Sequence, residues 1–86
     1  MPKISEFYGI VIAMFYNDHD PPHLHAVYGD NRALVGIDPI RILQGRLPPR
    51  AWALVQEWAS LHQEELLQNW SRARARAPLR RIAPLP

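Results

Sequence analysis

Three of the four histidines in this chain fall within seven positions, in the segment Asn17 to His25 that reads N-D-H-D-P-P-H-L-H. Imidazole is a common metal ligand and the one side chain whose ordinary pKa sits beside neutrality, so the cluster, with Asp18 and Asp20 inside it, suits two kinds of chemistry. As ligands, His19, His23 and His25 with Asp18 or Asp20 would hold zinc, nickel or another borderline divalent ion. Residues two apart on a strand share a face, so His23 and His25 point the same way, and His19 can fold back across the Pro21-Pro22 bend to join them. The spacing is not a zinc-finger signature. No glutamate stands beside paired helical histidines, which removes the commonest zinc-protease reading.

Without a metal, His23 and His25 form a candidate catalytic pair for ribonuclease-like acid/base work. One neutral imidazole would take a 2′-hydroxyl proton while a protonated one supplies the leaving group. Arg32 or Arg46 would then steady the phosphate, with Tyr16 or Tyr28 stacking or hydrogen-bonding nearby. A third reading needs no ligand: the histidines and aspartates satisfy backbone groups of the loop while Pro21-Pro22 fixes its path. All three remain open on the sequence.

The elements that must position this segment read as follows. Phe7 to Tyr16 is apolar and rich in β-branched and aromatic residues, as expected of one central strand with Ile10, Ile12, Met14 and Tyr16 on one face and Val11, Ala13 and Phe15 on the other. A second strand runs from about His23 to Tyr28. Gly29, Asp30 and Asn31 turn the chain back into Arg32 to Asp38, making a hairpin. Arg41 to Leu43 is a short fourth strand. Pro48-Pro49 opens a helix, and from Pro49 to Ala75 the pattern predicts one long amphipathic element, with Ala51, Val55, Trp58, His62 and Leu66 along one stripe and Leu54, Leu61 and Trp70 on its flanks. Trp52, Trp58 and Trp70 are expected to pack on the sheet first and to serve an interface second. His62 reads as a hydrogen-bonded core-edge histidine.

The expected fold is therefore α+β: a small antiparallel sheet of three to four strands packed against one long C-terminal helix, in a single domain over residues 1–86. The proline-containing tail 77–86 is expected to dock on the sheet or on a second subunit, which leaves a homodimer open. With 86 residues and no cysteine, the chain holds no disulfide framework. Its apolar runs are too short for a membrane span or signal sequence, so a cytoplasmic protein is expected. The net charge is only +2, but Arg72, Arg74, Arg76, Arg80 and Arg81 gather at the C-terminal end. Such a patch suits nucleic acid or an acidic protein partner, while arginines at a helix C-terminus also complement its dipole. No base-reading or helix-turn-helix signature accompanies them.

The opening P-K-I-S-E-F-Y-G-I-V-I, the N-D-H-D-P-P-H-L-H loop, the I-L-Q-G-R-L-P lead-in, the helical V-Q-E-W-A-S-L-H-Q-E-E-L-L-Q-N-W and the closing I-A-P-L together resemble the prokaryotic family known as domain of unknown function 4160. The matching positions are Asn17, His19, Pro21, Pro22, His23 and His25 in the loop and Trp58, His62, Leu66, Asn69 and Trp70 in the helix. The resemblance brings no established activity. It implies a small interaction module with a partner protein encoded by an adjacent small gene, in the manner of a toxin-antitoxin component. A metal-dependent or histidine acid/base nuclease acting on RNA, and a non-catalytic RNA- or DNA-binding protein, stand as alternatives.

Overall fold

In the computed structural model, which describes residues 2–86, five strands form one antiparallel meander in sequential order. They are β1 (Lys3–Phe7), β2 (Ile10–Ala13), β3 (His23–Tyr28), β4 (Asn31–Ile37) and β5 (Ile40–Gly45), followed by the helices α1 (Pro49–Leu61) and α2 (Gln63–Arg74). The α+β class is as expected, with two corrections of detail. The apolar run from Phe7 to Tyr16 is not one strand. Tyr8 and Gly9 adopt positive φ and reverse the chain, so that Phe7 pairs with Ile10. Glycine reaches that conformation without steric cost, and the turn escapes a hydropathy reading because buried apolar residues flank it directly.

The second correction concerns the helix. Its path breaks at His62, whose φ of −121° and ψ of 23° close α1 and open α2. No proline or glycine marks the position. The break accompanies a tertiary contact, the Gln63 side-chain amide donating to the Ile37 carbonyl at 2.7 Å, and Leu61 turns outward to 66% exposure rather than flanking the core. The His62 ring lies 5.6 Å from that of Trp58 and its Nδ1 is 2.6 Å from Glu65 Oε1.

Strand alternation assigns the faces. On β3 Leu24 and Ala26 are buried, as are their cross-strand partners Val35 and Ala33 on β4. That face carries the core, closed by Val55, Trp58, Leu66 and Trp70 from the helices. The opposite positions, His25 and Val27 on β3 and Arg32 and Leu34 on β4, remain partly or fully exposed, so one side of the hairpin faces outward.

The tail docks along β1. Ile82 donates its amide to the Ile4 carbonyl at 2.8 Å, Trp58 Nε1–H donates to the Ala83 carbonyl at 2.8 Å, and Ile82 and Leu85 are buried in the core. Asn69, itself 1% exposed, clamps Arg80 from both sides, accepting its amide at 2.9 Å and donating to its carbonyl at 2.8 Å. Tyr8 donates its hydroxyl to the Pro86 carbonyl.

Candidate metal centre

The loop between β2 and β3 is fixed from three directions. The Asn17 amide donates to the Ala73 carbonyl at the end of α2 (3.0 Å), Arg74 pairs with Asp20 at 3.0 Å, and Ile37 donates its amide to the Pro22 carbonyl at 3.2 Å. Asn17 takes a φ of 55°, a conformation asparagine tolerates better than most side chains. So held, the loop turns Asp18 back over the start of β3.

There it meets the two strand histidines. Asp18 Oδ2 lies 3.0 Å from His23 Nε2 and 3.3 Å from His25 Nε2, and one ligand atom from each of the three residues lies within 4.8 Å of the others. Ligand atoms about 2.0–2.2 Å from one tetrahedral ion stand roughly 3.3–3.5 Å apart, so the three need to move little to share an ion. His23 is 2% exposed, with its ring 5.1 Å from that of Trp70. His25 meets Phe15 edge-on, ring centroids 4.4 Å apart.

The hydrogen bonds set the tautomer of His23. Its Nδ1 lies 2.8 Å from the Pro21 carbonyl, which can only accept, so Nδ1 carries a proton. A neutral His23 then aims the Nε2 lone pair at a carboxylate oxygen. Two acceptors facing each other at 3.0 Å require a positive charge between them, from a second ring proton or from a cation. A backbone carbonyl that holds the remote ring N–H is also the usual outer support of a metal-bound histidine.

Charge favours the ligand forms. Burial opposes ionisation of Asp18, but the His19 amide and the His25 and His23 rings outweigh it and hold the carboxyl below its ordinary pKa. Burial pushes His25 below the usual imidazole value, and His23 adds to the shift while Asp18 opposes it. An ionised carboxylate and a neutral imidazole are the protonation states that bind metal.

Two of the five sequence-predicted ligands stand outside. His19 is 81% exposed at its side chain and its Nε2 is 3.8 Å from Asp18 Oδ1, while Asp20 is spent on Arg74. Of the candidate acid/base pair, His23 is buried with both ring nitrogens engaged, while His25 is half-buried and lines an open groove. Arg72 and Arg74 lie in the last turn of α2. The helix stops at Arg74, Arg76 takes a φ of 57°, and Arg72, Arg80 and Arg81 border a small cleft of about 150 Å³ with Glu65 and Gln68. Trp58 and Trp70 are buried and Trp52 is half-buried.

A groove of about 390 Å³, undetected in the sequence, opens beside the centre on the outward sheet face, lined by Phe15, His25, Val27, Arg32, Leu34 and Gln44 among others. Its signal was the alternation on the β3–β4 hairpin, which places His25, Val27, Arg32 and Leu34 on one face.

Fold and site together define a small α+β domain with one carboxylate and two histidines gathered at the mouth of an open sheet face. The chain belongs to the family described as domain of unknown function (DUF4160), whose model matches residues 9–71 and so covers the loop, β2 to β5, α1 and most of α2. No curated protein and no solved structure was found to match it significantly. Among the described residues no helix is long and apolar enough to cross a membrane.

Proposed function

We propose that the protein binds one divalent ion of the zinc class through Asp18, His23 and His25 and acts as a metal-dependent hydrolytic module. The observation that carries this reading is the convergence of three ligand atoms on a histidine whose Nδ1–H is anchored to the Pro21 carbonyl. An ion held by these three residues would have a coordination position left for water and would supply a nucleophile by lowering that water's pKa toward neutrality. His19 is the proton carrier: it is exposed, its ring lies 5.7 Å from that of His23, and it is not needed as a ligand. A cysteine-free chain with no membrane-crossing helix among its described residues suits a cytoplasmic setting.

The test is metal content and divalent-ion calorimetry on tag-free protein, comparing wild type with a His23→Ala/His25→Ala variant. Binding of one equivalent of zinc or nickel that the variant loses is the expected result. Absence of stoichiometric binding by folded wild type overturns the reading.

A second reading is favoured by the exposure of Tyr8, Tyr16 and Tyr28 at 58%, 44% and 39%. Aromatics left at the surface anchor protein interfaces, in line with an interaction module of toxin-antitoxin type whose partner is encoded nearby. Stable co-purification with that neighbour, lost when these tyrosines become serine, is its test.

A further inference from the structure

The groove beside the candidate centre has a composition that selects its ligand. Across the β3–β4 pair, His25 stands opposite Leu34 and Val27 opposite Arg32. His25 and Arg32 are therefore diagonal neighbours on one face, about 7–8 Å apart at the backbone, a distance the long arginine side chain can span. Arg32 is exposed and makes no ion pair among the described residues. Phe15, set nearly perpendicular to the His25 ring, forms a wall, and Leu34 and Val27 form an apolar floor. On the β5 side Leu34 pairs with Gln44, whose side-chain amide offers both donors and an acceptor at the far rim. Gly45 closes that rim: its φ is 79° and a Cβ there would collide with the Arg32 carbonyl oxygen.

We infer that this groove is a nucleotide-binding subsite, holding a base against Phe15 and Leu34 with its phosphate directed to Arg32 and the Asp18–His23–His25 centre. The inference rests on the metal reading above and names the substrate class for that site. A phosphate has enough acceptor oxygens to serve a guanidinium and a metal together. A base matches an apolar floor with one polar end, because its faces stack while its edge both donates and accepts. The volume of about 390 Å³ falls in the range of roughly 300–1,000 Å³ typical of small-ligand sites.

The experiment titrates zinc-loaded wild type, Arg32→Ala and Gln44→Leu with adenosine and cytidine 5′-monophosphates and with a short single-stranded oligoribonucleotide by calorimetry. Zinc stoichiometry is measured on each protein in parallel. Both substituted residues are exposed, so the fold and zinc binding should persist. The expected result is saturable nucleotide binding that Arg32→Ala weakens by about tenfold to a hundredfold, the usual effect of losing a charge-assisted hydrogen bond, and that Gln44→Leu weakens with a changed base preference. Tighter binding of the oligonucleotide assigns the subsite to a nucleotide within a strand, and equal binding to a free nucleotide. Zinc-loaded protein that binds no nucleotide overturns the inference while leaving the metal reading intact. Binding that Arg32→Ala leaves unchanged also overturns it and points to the Arg72, Arg80 and Arg81 cleft. Protein that takes no zinc yet binds nucleotide through Arg32 overturns the metal reading and the direction of the phosphate to that centre, while supporting the groove as a nucleotide subsite.

Discussion

Replacing each of the five acidic and histidine residues of the loop in turn should split them into two groups, and the coupling of metal binding to stability gives the size of the split. A ligand that binds only the folded chain stabilises it by RT ln(1 + [L]/Kd), about 2.7 kcal/mol when free zinc is 100 times Kd. For a domain of this size 1 kcal/mol moves the melting midpoint by roughly 4–8 °C, so wild type should gain about 10–20 °C. Loss of an outer-shell partner already costs a metal site about 10–100-fold in affinity, and His25, 3.3 Å from Asp18 Oδ2, is a direct ligand in the proposed centre. His25→Ala should therefore weaken zinc by on the order of 100-fold. At the same free zinc the gain then falls to about 0.4 kcal/mol, a shift of roughly 2–3 °C. His19→Ala and Asp20→Ala should keep most of the shift, because His19 is solvent-exposed and a loop without the Asp20–Arg74 pair is still held by the Asn17–Ala73 and Ile37–Pro22 hydrogen bonds. The assay is a thermal melt by circular dichroism with and without zinc, each variant referred to its own metal-free midpoint so that losses of packing cancel. Equal zinc shifts in His25→Ala and wild type would refute the geometric argument, as would a shift abolished by His19→Ala.

Acid should destabilise the metal-free protein in a predictable window. The folded pKa of His25 lies below its unfolded value near 6.5, so the unfolded chain binds more protons between the two and stability falls as pH drops through that interval; Asp18, also lowered, contributes stability that is whole above its ordinary 3.8 and lost beneath it. Urea unfolding of wild type and His25→Gln from pH 8 to 5 checks the first part, and a slope that survives the substitution unchanged would sink it. Asn69→Ala removes two hydrogen bonds to Arg80, a cost of about 1–3 kcal/mol. Exchange of the Ile82 amide, which bonds Ile4, should quicken while amides of the β3–β4 ladder keep their order of protection; uniform acceleration would show that the tail is not a separately released element. Ser5 Oγ is buried with no partner among the described residues, so Ser5→Ala should leave the melting midpoint unchanged or raise it by up to roughly 4–8 °C, as about 1 kcal/mol of unmet desolvation is relieved. A drop of several degrees would reveal a hidden partner.

The α+β class, the β3–β4 hairpin, the helix start at Pro49 and the packing role of Trp58 follow from local patterns, because alternation, turn residues and proline placement act over a few positions at a time. The histidine cluster of Asn17 to His25 is local in the same sense, three imidazoles within seven positions. Contacts between distant parts of the chain decided the rest. Tyr8-Gly9 cuts an apolar run that reads as one strand, since both flanks are buried in the same core. The helix breaks at His62 with no breaker residue, where Gln63 bonds Ile37 from across the fold. Within Asn17 to His25, the sequence offers three histidines with either Asp18 or Asp20 as ligands. The three that converge were selected by where Ala73 and Arg74, more than fifty residues further on, hold the loop against the end of β3. Side-chain type thus determined which chemistry the chain can do, and the anchoring of one loop by a remote helix end determined which atoms are in place to do it.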